Sequence, residues 1–317
     1  MLWPFLLVIL FIFFRLLCYL CVHVYIHLRR PTLNIAPGSY ALVTGASSGI
    51  GFQFAYELAS AGYNLVIVGR DRSGLQEAAA RLKHLNAQIS IEVIVCDLSK
   101  FVNPSSGASL IISRCSHLDI RIVVNNAGYL LYGSFHNTSF YDDYSLLVTH
   151  VLSSLQLTKH FYKRLLDQNR GEGLFIFVSS ICSQVTLPKG CTYSASKSLL
   201  DGFSKGFYWE ARKNNIDVVC VRPGLTKTNF VTNMIGMPQR HYFYHIFKIF
   251  GSKPKLVVRV AFNAIKVPFT TCVDAGMTAC LLGFCRIIVG SWIIDFVSGI
   301  LGRSSSAFPD SMTDHQD

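Results

Sequence analysis

Short, nearly uninterrupted apolar runs recur along the chain, and each is followed by a stretch of helical or polar character. The runs are residues 40–43, 64–68, 91–95, 120–124, 174–178 and 217–221. Apolar runs of this length suit strands buried on both faces of a parallel sheet. Between them, residues 51–61, 73–85, 144–167 and 193–212 read as helices. Alternating β and α elements predict right-handed crossovers and an α/β fold, a doubly wound parallel sheet with helices on both faces. Ligands of such sheets bind beyond the carboxyl ends of the strands.

The two ends depart from that alternation. Residues 2–28 are almost wholly apolar, with Arg15 the only full charge. A helix needs about 20 apolar residues to cross a bilayer, so the stretch reads as an uncleaved transmembrane anchor. Arg15 is a real cost there, which snorkelling reduces. A cleaved signal peptide fits less well, because no basic region precedes the stretch and no small-x-small site follows it. Arg29 and Arg30 follow the span and nothing basic precedes it, which places the body on the cytosolic side. Residues 272–301 are also apolar, but Asp274, Arg286 and Asp295 interrupt them. The longest uncharged run, 275–285, is too short to span. This segment is read as helical and buried or lying in the membrane interface, with a second membrane hairpin as the alternative. The tail, 304–317, is polar and reads as frayed.

Composition narrows the reading. The chain has 317 residues, 51% of them apolar and only 15% charged, which excludes disorder. Lys and Arg number 29 against 18 Asp and Glu, a balance that favours anionic lipid or phosphorylated cofactors and substrates. The ten cysteines show no zinc spacing. His241 and His245 share a helical spacing, but no carboxylate completes a metal site. No metal is expected.

The residues of unusual chemistry follow the strands. After the first comes Thr44-Gly45-Ala46-Ser47-Ser48-Gly49-Ile50-Gly51. Glycines here let backbone approach a pyrophosphate, which a helix N-terminus attracts; a plain strand-to-helix turn is the alternative. The second strand ends in Gly69-Arg70, without the acidic residue that would hold a ribose 2′-hydroxyl. Arg70 would instead pair with a 2′-phosphate, unless it is an ordinary surface arginine. Asp97 follows the third strand, poised to accept from an adenine amino group or to cap a helix. Asn125-Asn126-Ala127-Gly128 follows the fourth. The fifth ends in Ser179-Ser180, and Tyr193-Ser194-Ala195-Ser196-Lys197 comes after it. Tyr193 and Lys197 are four apart and share a helix face. An ammonium beside a phenol stabilises the phenolate and lowers its pKa. With a serine hydroxyl on the carbonyl oxygen, such a set protonates an alkoxide as hydride arrives, or runs in reverse.

Together these motifs resemble the short-chain dehydrogenase/reductase family, over roughly residues 38–265. They are the T-G-x-x-x-G-I-G run at Thr44–Gly51, Asp97, the N-N-A-G run at Asn125–Gly128, Ser180, the Y-x-A-S-K run at Tyr193–Lys197 and the P-G-x-x-x-T run at Pro223–Thr228. The resemblance implies a Rossmann-type fold and a nicotinamide cofactor, with Arg70 favouring NADP(H). It implies that Tyr193 is the general acid/base, that Lys197 also holds the nicotinamide ribose, and that Ser180 orients substrate. Cofactor contacts then fall on Thr44, Gly45, Ser47, Ser48, Gly49, Ile50, Gly51, Arg70, Asp97, Asn125, Ala127, Gly128, Tyr193, Lys197, Pro223, Gly224 and Thr228. One position departs. The family usually carries an Asn eight residues before a Thr in the helix after the fourth strand, supporting a proton-relay water. Counting back from Thr158 gives His150, which is expected to substitute in the catalytic set or to leave a weak, NADP(H)-binding interaction protein.

The family places its substrate lid at 229–253, here rich in aromatic and basic residues, among them Arg240, Tyr242, Phe243, Lys248 and Phe250. That mixture suits a lipid interface; plain core cover is the alternative, and no nucleic-acid motif is present. The layout resembles the membrane-anchored branch of the family. Reduction of a steroid or 3-oxoacyl-CoA ketone leads, with 3-ketosphinganine reduction as the runner-up. The partners are therefore an apolar small-molecule substrate and membrane lipid, with a homodimer allowed. The expected organisation is an anchor at 1–30 in the endoplasmic reticulum membrane, crossing once, a dinucleotide-binding catalytic domain at 38–271, the apolar segment at 272–303 and the tail at 304–317.

Overall fold

In the computed structural model, residues 3–29, 33, 35–100, 107–168, 171–230, 248–267 and 270–289 are described. Seven strands form one sheet: β1 (Tyr40–Thr44), β2 (Asn64–Gly69), β3 (Ile91–Val95), β4 (Ile120–Asn125), β5 (Gly173–Val178), β6 (Ile216–Pro223) and β7 (Cys272–Ala275). Every pairing is parallel, in the order β3-β2-β1-β4-β5-β6-β7. The winding reverses between β1 and β4, so their carboxyl ends splay apart and leave a crevice.

Side chains alternate between two apolar layers. Ala41, Val43, Leu65 and Ile67 face one, while Leu42, Val66 and Val68 face the other. The first layer is closed by α2 (Gly49–Ser60), α3 (Arg72–Leu85) and α8 (Pro254–Asn263), with Phe54 set edge-on against Phe262 at 5.6 Å. The second is closed by α4 (Gly107–Arg114), α6 (Ser153–Asp167) and α7 (Cys191–Arg212). There Phe161 and Phe207 bury Phe175 and Phe177 of β5. A fully buried side chain of this size contributes roughly 1.5–3 kcal/mol, so β5, buried along its whole length, is the spine of the sheet.

The helix expected at 144–167 is broken. It starts earlier as α5 (Phe140–Leu147), because Ser139 Oγ accepts from Asp142 N at 3.1 Å and Asp142 and Asp143 lie in the first turn. It then widens into a π-helical turn, Val148–Leu152, before α6. The apolar segment from residue 272 is not helical throughout. Cys272–Ala275 is the seventh strand, paired with Cys220–Pro223. Asp274, which looked like an interruption, is buried there against Arg222. Helix resumes as α9 (Met277–Val289), and residues 290–317 lie outside the described residues, as does most of the expected lid, 231–247.

The N-terminal helix α1 (Trp3–Leu28) is long and apolar enough to cross a membrane. Leu7, Ile9, Phe11, Phe13 and Phe14 are exposed along it. Its last turns dock on the body. Ile26 is buried in the first layer, its carbonyl accepts from Asn263 Nδ2 at 2.6 Å, and Arg29 Nη1 donates to Asn263 O.

Candidate active site

The splayed ends of β1 and β4 are clamped by one hydroxyl. Thr44 Oγ1 donates to Val124 O at 3.2 Å and accepts from the amides of Asn126 and Ala127 at 3.0 Å each. Asn126 Nδ2 returns a bond to Thr44 O at 2.9 Å. Gly45 and Gly49 hold φ of 66° and 60°, the left-handed region that favours glycine. Gly51 is required for closeness instead: a Cβ there would lie 2.2 Å from Gly45 O. The turn thus presses backbone amides and the α2 N-terminus into the crevice. Ser48, the N-cap of α2, makes no side-chain cap bond and faces the crevice.

The crevice encloses about 300 Å³. Of the residues expected at the cofactor, Gly45, Ser48, Gly49, Ile50, Arg70, Gly128, Tyr193, Lys197, Pro223, Gly224 and Thr228 line it, and so does Ser180. Thr44, Ser47, Gly51, Asp97, Asn125, Ala127 and His150 do not. Asp97 Oδ1 instead accepts from Ser99 N at 3.0 Å and Ser99 Oγ at 2.8 Å, closing its own turn. Asn125 Nδ2 donates to Thr158 Oγ1 at 3.1 Å, tying β4 to α6. Arg70 lies over the Tyr129 ring at 5.6 Å, a cation–π contact that holds the guanidinium at the rim.

Ser180, Tyr193 and Lys197 come together on one wall. The helix α7 is fastened to the end of β5 by two bonds. Lys197 Nζ donates to Val178 O at 3.0 Å, and Ser179 Oγ donates to Lys197 O at 3.1 Å. Ser180 caps a short 3-10 turn, Ile181–Ser183, by accepting from Cys182 N. Burial pushes the Tyr193 phenol up, the neighbouring Cys182 thiol adds to this, and the Ser180 hydroxyl bonded to it pulls back. Burial sets this direction, opposite to the lowering expected from the sequence, and the ammonium of Lys197 is bonded to Val178 O. Burial pushes the Lys197 ammonium down to about 8, against the opposing pull of Cys220, Asp201 and Cys182.

His150 sits at the middle of the π-helical turn, 1% exposed. Its Nε2 accepts from Tyr129 N at 3.0 Å, so the ring proton lies on Nδ1, which faces Ser196 Oγ at 2.9 Å. Ser196 in turn donates to Tyr193 O at 2.7 Å. Burial and the Lys197 charge hold the imidazole well below its usual pKa. This arrangement braces the N-N-A-G loop against α7. Phe230, at the start of the expected lid, lines the crevice, but sequence reasoning missed the rest of its apolar half: Tyr129, Leu130, Tyr132 and Leu187. The only signal for it was the Tyr129-Leu130-Leu131-Tyr132 run directly after the glycine.

A glycine cradle at the switch point and a Ser-Tyr-Lys wall facing it define an oxidoreductase site of the short-chain type. A model of the family "short chain dehydrogenase" matches residues 39–237, and the chain belongs to that family. A very-long-chain 3-oxoacyl-CoA reductase of Mycosarcoma maydis is 26% identical over 273 residues, which cover 84% of this chain and 74% of that protein. Dehydrogenase/reductase SDR family member 7B of Xenopus tropicalis is 26% identical, covering 81% and 84%. Among solved structures, a 7β-hydroxysteroid dehydrogenase superposes with a TM-score of 0.71 at 22% identity, over 84% of this chain and 99% of that one. A short-chain dehydrogenase of Sphingobium yanoikuyae in complex with NADPH superposes at 0.61 and 22%, over 88% and 100%. At this identity the structural likeness concerns the fold.

Proposed function

We propose that the protein is an NADP(H)-dependent reductase of a ketone on an apolar lipid, a 3-oxoacyl-CoA or a steroid, held at a membrane by α1. The observation that carries this reading is a single crevice with three walls. A glycine cradle and Arg70 form one, Ser180, Tyr193 and Lys197 a second, and Tyr129, Leu130, Tyr132, Leu187 and Phe230 a third.

The residues present fit a phosphorylated dinucleotide. A Cβ at Gly49 would press on Thr228 at 3.2 Å, so only glycine leaves backbone bare at the α2 N-terminus. Arg70 offers a bidentate fork to a 2′-phosphate. When bound, the nicotinamide supplies the hydride. Ser180 Oγ donates to the ketone oxygen and fixes the carbonyl between hydride donor and phenol. Tyr193 Oη gives its proton to the developing alkoxide. The raised pKa of the buried phenol keeps that proton in place until charge develops. Lys197 spends one N–H on Val178 O, and its remaining N–H groups would hold the ribose of the cofactor and stabilise the phenolate once it forms. The apolar wall excludes water from the ketone and accommodates a hydrocarbon body.

The relatives named as very-long-chain 3-oxoacyl-CoA reductases favour the acyl-CoA member of this substrate class. Arg29 and Arg30 after the span support a cytosolic body, in this reading at the endoplasmic reticulum. The deciding experiment is turnover of 3-oxoacyl-CoA, steroid and sphingoid ketones with NADPH and with NADH, by the wild type and by Tyr193→Phe. The reading expects wild-type turnover with NADPH, a loss of about 10²-fold or more in the variant, and NADPH binding retained. Equal turnover by Tyr193→Phe would reject it.

A further inference from the structure

The mechanism above uses none of Tyr19, Asp201, Arg222 and Asp274, yet the fold collects them into one chain. Tyr19 Oη, on α1, donates to Asp274 Oδ2 at 3.1 Å. Asp274 Oδ1 lies 2.7 Å from Arg222 Nε, an ion pair outside hydrogen-bond alignment. Arg222 Nη1 lies 3.5 Å from Asp201 Oδ2, and the same oxygen accepts from Ser183 Oγ at 2.8 Å. Asp274 is 1% exposed, Asp201 5% and Arg222 8%. Three charges at this depth are costly, and their net stabilisation relative to apolar residues is small or absent. Stability alone is therefore a poor account of them.

The inner end of the chain shows what it does. Asp201 stands one helical turn beyond Lys197 on α7. Its partner Ser183 closes the 3-10 turn that Ser180 caps. The Asp201 carboxylate thus joins the element carrying Ser180 to the helix carrying Tyr193 and Lys197. Asp201, Cys220 and Cys272 also bring ligand atoms within 4.8 Å of one another, but the Arg222 guanidinium already occupies that carboxylate, which disfavours a cation there.

We propose that Asp201 is a positioning residue for Ser180, Tyr193 and Lys197, and that docking of α1 through Tyr19 holds Asp201 in place by way of Asp274 and Arg222. The roles of the three positioned groups rest on the reductase reading. The groups facing Lys197 are Cys182 from the 3-10 turn, Cys220 from β6, His150 from the π-helical turn, and Tyr193 and Asp201 from α7. The Cys182 and Cys220 thiols are both held above their usual pKa, and His150 is held neutral. Asp201 is the one carboxylate among them. Removing its charge makes the ammonium give up its proton at lower pH.

The test uses the full chain in membranes or detergent micelles. Lys197 is labelled by an amine-reactive acylating reagent across about pH 6 to 9 and read by mass spectrometry. NADPH affinity and the pH profile of turnover are measured alongside, with the thermal midpoint as a control for folding. Asp201→Asn is expected to move the onset of Lys197 labelling, and the alkaline limb of NADPH binding, about one pH unit lower. Asp201→Glu is expected to restore most of the shift. Tyr19→Phe and Asp274→Asn are expected to move both limbs in the same direction by less. An Asp201→Asn profile coincident with wild type, or a change confined to the thermal midpoint, overturns the positioning role. Should Asp201→Asn not fold, Asp274→Asn decides in its place, because it leaves the Ser183 bond intact. A Tyr19→Phe profile coincident with wild type overturns the coupling to α1. A wild type that reduces no ketone sinks the reductase reading, while the labelling profile still decides this one.

Discussion

Lys197 Nζ and Val178 O meet at 3.0 Å, so the lysine of the site is bonded to the last residue of the fully buried strand β5. The bond fixes the ammonium at the crevice floor while burial lowers its pKa to about 8 from the ordinary 10.5. A consequence for stability follows from linkage. Between those two values the unfolded chain holds the proton and the native chain releases it, so this group makes stability rise as pH increases through that window. Below about pH 8 both states are protonated and the contribution is flat. Lys197→Met is expected to abolish the rise. Urea denaturation of both proteins from about pH 7 to about pH 9.5, below the tyrosine range, measures it. Parallel curves for the two proteins would show that Lys197 is charged throughout.

Arg70 sets the choice of cofactor in the proposed reading. The guanidinium lines the crevice and is steadied over Tyr129. A charge-assisted bond is worth about 1.5–3 kcal/mol, so Arg70→Ala should weaken NADPH binding about 10- to 150-fold. NADH, with no 2′-phosphate, should bind both proteins alike. Titration of each cofactor by fluorescence gives the four affinities. Equal losses for NADPH and NADH would mean that Arg70 supports the rim and does not read the phosphate.

Gly51 carries a geometric prediction. A methyl group there would meet Gly45 O at 2.2 Å and Asn126 Nδ2 at 2.5 Å; the first is backbone, and the second is pinned by its bonds to Thr44 O and Gly45 O. Gly51→Ala must therefore push α2 off the turn. The expected costs are about 1–3 kcal/mol of stability and a loss of NADPH affinity, since the amides at the α2 N-terminus no longer point together. A thermal midpoint and a binding isotherm on the same sample check both. Gly202→Ala, where a Cβ meets nothing within 4 Å, is the matched control.

The first six strands were readable from sequence because most are buried on both faces, and the edge strand β3 keeps an apolar run with only Glu92 exposed. Each showed as a short apolar run that matches the strand's ends, as at 91–95, or misses them by a residue or two. β7 was not readable, because four residues with Asp274 at their centre look like a broken helix until Arg222 is seen beneath them. The helix α8 was passed over although Pro254 marks its first turn. At the site, Tyr193, Lys197 and the glycine turn are local patterns, and local patterns survive in one dimension. The π-helical turn that seats His150 has no composition of its own. The Tyr19–Asp274 bond joins residues 255 positions apart, and no spacing rule reaches that far.

His150 gives the last prediction, and it discriminates between two accounts of the protein. If the usual relay depends on an Asn at this position, the natural chain is a weak enzyme, and His150→Asn should raise turnover. The geometry argues the other way. The His150 ring accepts from Tyr129 N and, through Nδ1, meets Ser196 Oγ, which holds Tyr193 O. An Asn is too short to make both contacts from the same backbone and would leave the half-buried Tyr129 amide without its partner. An unsatisfied group of that kind costs about 1–3 kcal/mol, which lowers the thermal midpoint by several degrees, at about 2–4 °C per kcal/mol. Loosening Ser196 also frees the turn of α7 that presents the phenol. His150→Asn should therefore lose stability and turnover together, with KM for the ketone little changed, as assayed by calorimetry and steady-state kinetics. A gain in turnover at any cost in stability would reverse the conclusion and make the wild-type chain an NADP(H)-binding protein whose histidine has taken the place of a relay.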